Sequence, residues 1–71
     1  MKLHYYPETD SLYIELRDEA GAETREITDG LNVDLNEKGE VVGFDIDSAS
    51  RHLDLTTLET IALPLRVTRA A

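Results

Sequence analysis

Asp34, Asn36 and Gly39, followed further on by Asp45, stand at spacings that suit a hard cation. Counted from Asp34, they fill the first, third, sixth and last positions of an EF-hand calcium loop, where side-chain oxygens surround the ion and glycine permits the bend. Lys38 occupies the fifth position, where a ligand oxygen belongs, and the flanks alternate as strands rather than rise as helices. Hairpin-turn chemistry accounts for the same residues: Asn36 suits the first position of a turn, and Gly39 tolerates the positive φ that closes it. Asp45 and Asp47, two apart with Asp34 across the hairpin, form a second carboxylate group. Such groups bind divalent ions or shift one another's pKa, although surface carboxylates mostly stay hydrated. No metal and no cofactor are expected. The alternative is a small-ligand or divalent-metal site at Asp34, Asn36, Asp45 and Asp47.

Nucleophilic and imidazole chemistry has little to work with. His4 and His52 are the two imidazoles, and neither stands in a His-x-x-x-His or His-Glu pattern that would hold zinc. His52 follows Arg51 near the end of a short helical stretch, where a cation suits the helix dipole. Ser48 and Ser50 lie close to His52 in sequence, but no nucleophile elbow surrounds them. No catalytic residue is expected, and a hydrolase built on His52 ranks last among the functional readings. Tyr6 or Tyr5 could meet Tyr13 across a strand pair, forming an aromatic patch of the kind favoured at interfaces. Arg25, between Glu23 and Glu26, reads as a member of a surface ion pair. The candidate protein-interaction residues are Glu23, Arg25, Glu26, Asp45, Tyr6 and Tyr13.

The elements that carry these residues follow from two periodicities. Leu12, Ile14 and Leu16 alternate with Tyr13, Glu15 and Arg17; Leu31, Val33 and Leu35 alternate with Asn32, Asp34 and Asn36; Val42, Phe44 and Ile46 repeat the pattern. A period of two marks strands with one buried face. Strands are expected over 2–6, 11–17, 22–28, 31–36 and 40–46. Turns fall at Pro7–Asp10, Asp29-Gly30 and Asn36–Gly39. The charged segment 22–28 reads as an edge strand, because charge deters sheet-to-sheet aggregation. Beyond Asp47, Ser48–Leu53 can form one helical turn capped by Asp47 or Ser48. Leu55, Leu58, Ile61, Ala62 and Leu65 then recur at near-helical spacing behind a Thr56/Glu59 capping box, which predicts a helix over 55–63 that Pro64 ends. The expected fold is α+β: one domain over 1–71, a mainly antiparallel meander of four to five short strands, with one short C-terminal helix packed on one face.

Composition narrows the partners. A chain of 71 residues buries about 60% of the surface its unfolded form exposes, so association adds useful stability. No cysteine is present, which excludes disulfides and thiolate sites and fits a reducing compartment. The opening Met-Lys-Leu-His-Tyr-Tyr-Pro has no apolar signal-type run and no apolar stretch is long enough to span a bilayer, so a cytoplasmic, membrane-free protein is expected. The net charge of −8 repels phosphate backbones, which argues against nucleic acid and for a small basic protein partner. An exposed edge on a small core favours a homo-oligomer, most simply a dimer.

Three segments together carry a resemblance. Tyr6-Pro7-Glu8-Thr9-Asp10-Ser11-Leu12-Tyr13-Ile14 is followed by Thr24-Arg25-Glu26-Ile27-Thr28-Asp29-Gly30, then by the run from Val33 to Ile46 with Ser48-Ala49-Ser50. In this order they resemble the small bacterial family called domain of unknown function 2283, over about residues 4–51. Family members typically carry an acid-x-acid-x-acid-Gly turn, from which this chain departs at Asn36 and Lys38. The resemblance implies a small soluble prokaryotic protein and no catalytic residues. Some similar proteins are encoded beside a small toxin-like domain, which implies an antitoxin-like role as a hypothesis. Functionally, then, the chain reads as a non-enzymatic protein-interaction module, for which the resemblance implies that antitoxin-like form.

Overall fold

The alternation of apolar and polar side chains folds as expected into five short strands. A computed structural model describes residues 1–69. The elements are β1 (Lys2–Tyr6), β2 (Ser11–Glu15), β3 (Glu23–Thr28), β4 (Leu31–Leu35), β5 (Val41–Ile46) and α1 (Ala49–His52). All neighbouring strands run antiparallel in one open sheet.

The strand order is β1-β2-β5-β4-β3, not that of a simple meander. β1 and β2 form a hairpin, the chain crosses to the far edge to lay down β3, and β4 and β5 step back until β5 pairs with β2. The physical reason lies in the side chains of β3. A strict meander would place Glu-Thr-Arg-Glu in the centre of the sheet, where charges lose hydration, and would leave the apolar β5 on an edge. The observed order does the reverse.

Register sorts the side chains into two faces. On one, Leu3, Ile14, Phe44 and Val33 form a cross-strand row, with Tyr5, Leu12, Ile46 and Leu31 beside it. On the other, His4, Tyr13, Asp45, Asn32 and Glu26 form one row, and Lys2, Glu15, Gly43, Asp34 and Thr24 the next. The buried core comprises Leu12, Val33, Leu35, Val42 and Ala49. Val42 is the extra residue of a bulge: Asp34 faces Gly43 while Leu35 faces Val41. At 1% exposure, its side chain contributes about 2 kcal/mol of hydrophobic stabilisation.

The helix lies earlier in the chain than the periodicity predicts. α1 is the single turn anticipated over 48–53; residues 55–63 form no helix. Thr56 does not join a capping box with Glu59. Its amide and hydroxyl both donate to Asp54, as does the Thr57 hydroxyl, and this local turn competes with helix formation. A nine-residue helix stopped by Pro64 is also shorter than the roughly 12–15 residues a helix needs without tertiary support. Ser48 is the N-cap residue of α1, but it sits in the left-handed region at φ 50° and its side chain caps nothing. Asp10 anchors the turn instead: its carbonyl accepts from the Ala49 amide at 2.8 Å, and its carboxylate accepts from the Ser50 hydroxyl at 2.6 Å. None of the helices among the described residues is long and apolar enough to cross a membrane.

Candidate functional site

The polar face of the sheet concentrates the side chains with chemistry. Tyr13 on β2 lies opposite His4 on one side and Asp45 on the other. Its ring leans diagonally over Gly43, and its hydroxyl donates to Asp34 Oδ2 at 2.8 Å. The Thr24 hydroxyl on β3 donates to the other oxygen of that carboxylate at 2.7 Å. Asp34 is thus held from both sides by hydroxyls of two strands that never touch each other. Gly43 makes the arrangement fit: a Cβ placed there would lie 2.6 Å from Tyr13 Cζ and 3.1 Å from the Ile14 carbonyl oxygen. A glycine inside a strand often marks such a close approach.

The electrostatics follow from this packing. Donation to Asp34, reinforced by burial and by the charges of Asp34, Glu15 and Asp45, pushes the Tyr13 phenol up to about 12. Burial, then the charges of Asp47 and Asp34, raises the Asp45 carboxyl above its ordinary range. At the β1 edge of the face, Lys2 and His4 approach Glu15 at 3.9 and 3.7 Å, and the His4 and Tyr13 rings stand 6.4 Å apart. His4, rather than Tyr5 or Tyr6, is therefore the aromatic neighbour of Tyr13. Tyr6 lies opposite Ser11, and Tyr5 turns to the other face, where its hydroxyl donates to Asp10.

The six candidate interaction residues do not form one patch. Tyr6 belongs to β1, while Glu23, Arg25 and Glu26 belong to β3 at the opposite edge. Tyr13, Asp45 and Glu26 share the polar face; alternation puts Glu23 and Arg25 on the other. Arg25 is ion-paired with Glu23 through Nε, which raises its pKa further. All six residues of β3 are exposed, and a bulge at Ile27 interrupts the register.

The cation alternative meets committed oxygens. Asn36 Oδ1 accepts from the Lys38 and Glu40 amides at 2.9 and 3.0 Å, while Nδ2 donates to Glu19 and Glu40. Asn36 is therefore the hub of its turn, with its oxygen directed to backbone N–H groups. Asp47 lies beyond the end of β5, exposed, with its amide donating to the Gly30 carbonyl. Among the described residues no group of three or more His, Asp or Glu side chains converges as a metal site would require. The Ser50 hydroxyl donates to Asp10, and His52 lines a cleft of about 330 Å³ with Thr28, Asp29, Gly30, Ile46 and Leu53.

Sequence reasoning passed over Gly43, Thr24 and Asp10. Gly43 had a readable signal, an isolated glycine inside a strand pattern. Asp10, at φ 51°, occupies the left-handed region that Asp tolerates at a turn, but its partner Ser50 is distant in sequence. In comparison with known proteins, the family model described as "Protein of unknown function (DUF2283)" matches residues 2–50, which includes every strand of the sheet. No curated protein and no solved structure matches the chain.

Proposed function

The chain belongs to the DUF2283 family of proteins of unknown function, and from that premise we propose that it is a non-enzymatic protein-interaction module that docks a small basic partner on β3. The observation that carries this reading is the state of β3. It is a terminal strand, exposed at every residue, and it presents Glu23 and Glu26 beside an unpaired backbone edge. An extended partner segment can add to such an edge by main-chain hydrogen bonds, with side chains setting specificity. The net charge of −8 steers a basic partner toward the chain and a nucleic acid away from it. Asp45 and Glu26 extend the acidic surface onto the polar face. The specific form proposed is an antitoxin-like role in the cytoplasm, neutralising a small toxin-like protein; the family resemblance supplies that form and the acidic edge is compatible with it. Binding of the partner to the full chain should weaken with added salt and with charge reversal at Glu23, Glu26 and Asp45. Binding that survives all three reversals would reject this docking surface.

A further inference from the structure

Residues 53–69 form neither helix nor strand, yet they expose a row of large apolar side chains. Within them Leu63, Leu65 and Val67 alternate with Pro64, Arg66 and Thr68, the period of a strand with one apolar side. Leu63 is 51%, Leu65 44% and Val67 80% exposed. The Leu65 amide, lacking a sheet partner, closes onto the Leu63 carbonyl at 2.9 Å around Pro64.

We propose that residues 63–67 of one copy add as a strand to the β3 edge of a second copy, reciprocally, so that the chain forms a two-fold exchange dimer. The inference rests on the reading of β3 as a docking edge and says what covers that edge before a basic partner displaces it. Three features of the chain fit. Backbone groups of an extended segment point alternately to its two sides, and Pro64 has no N–H to give. The side carrying Leu63, Leu65 and Val67 is therefore the one able to pair, and Pro64 belongs on the outer edge. Length fits as well: the bulge at Ile27 leaves the regular stretch Glu23–Glu26 for pairing, which residues 63–67 are long enough to span. Charge selects the edge. Arg25 on this edge is neutralised by Glu23, which leaves Glu26 and the following Asp29 beside a segment whose charged residues, Arg66 and Arg69, are cationic, whereas the β1 edge carries Lys2. Aligned with Arg66 opposite Glu26, the segment puts Arg66 on the polar face and its leucines on the face of Glu23 and Arg25, and the exposed Ile27 gains an apolar neighbour. Reciprocal use of both arms gives closed two-fold symmetry and covers each β3 edge until a partner displaces the arm.

The chain contains no cysteine, which permits a direct test on the full-length protein. Glu26→Cys and Arg66→Cys variants, mixed and mildly oxidised, should form the mixed 26–66 disulfide in preference to either homodisulfide. Analytical ultracentrifugation should show a dimer that Leu65→Asp with Val67→Asp weakens at least about tenfold; circular dichroism confirms that these exposed substitutions leave the sheet folded. A monomer at all concentrations, or equal yields of the three disulfides, would overturn the proposal. A dimer lost on Glu23→Lys with Glu26→Lys but indifferent to Leu65→Asp with Val67→Asp would keep β3 as a docking edge and overturn its assignment to residues 63–67.

Discussion

The Tyr13 hydroxyl reaches Asp34 across a strand that lies between them, and it does so over the one residue of that strand without a side chain, Gly43. β2, β5 and β4 are thereby tied on the polar face by a single side chain, and Thr24 extends the tie to β3. The relationship makes Gly43 a packing requirement rather than a turn residue. Gly43→Ala should destabilise the fold by about 1–3 kcal/mol, since the methyl group displaces the Tyr13 ring and crowds the Ile14 carbonyl. Urea unfolding monitored by circular dichroism measures the shift. An unchanged midpoint would mean that the ring does not rest on Gly43.

Removing the hydroxyl separates the bond from the packing. Tyr13→Phe keeps the ring and should cost about 1 kcal/mol at neutral pH. Its sharper signature is alkaline. A phenol raised to about 12 in the folded chain favours folding fully below its ordinary value of 10.0, and that contribution is lost as pH rises from there toward 12. The wild-type chain should therefore lose stability through that window, and Tyr13→Phe should flatten the loss. Parallel alkaline stability profiles of the two proteins check it.

Asp45 works in the opposite direction from a helpful carboxylate. Burial, and then the charges of Asp47 and Asp34, raises its pKa, so its ionised form opposes folding at neutral pH. The favourable protonated form is present at low pH, and its benefit is lost as pH rises through the raised value. Asp45→Asn should accordingly raise the melting temperature at pH 7, with the gain shrinking as the solution is acidified into the carboxylate range. Calorimetric melting temperatures against pH decide the matter; a variant less stable than wild type at pH 7 would show that Asp45 is paired favourably.

Asn36 holds the β4–β5 turn with both ends of its amide. Asn36→Ala leaves two backbone amides and two carboxylates without their partner and should cost about 1–3 kcal/mol. Titration of the wild-type chain with calcium, magnesium or manganese should give no binding heat at millimolar ion. Saturable heat that disappears in Asp34→Asn would restore the cation reading.

Much of the sheet was legible because alternation is a local property. Leu31, Val33 and Leu35, or Val42, Phe44 and Ile46, declare a strand and its apolar face without reference to anything distant. The charges of Glu23, Arg25 and Glu26 likewise marked β3 as an edge. Strand order was not legible, because the same alternation is compatible with β3 or β5 beside β2, and the choice depends on which strand tolerates the centre. The stripe from Leu55 to Leu65 imitated a helix for a related reason: periodicity proposes a face, but a short helix forms only where something buries that face, and Asp54 draws Thr56 and Thr57 into a local turn first. In the candidate site, Tyr13, Asp34 and Asp45 were recognised as individuals. Their contacts depend on cross-strand register, and a one-step difference in pairing put His4 rather than a tyrosine beside Tyr13.

Docking of a basic protein on the β3 edge is read out by paired affinity capture from native extract. The full chain and its Glu23→Lys, Glu26→Lys, Asp45→Lys variant serve as baits, with quantitative mass spectrometry at low and high salt. A small basic protein is expected in near-equal amount on the wild-type bait, reduced at least about tenfold by charge reversal and by salt. A partner recovered equally by both baits, or no stoichiometric partner on either, would rule out β3 as the docking edge.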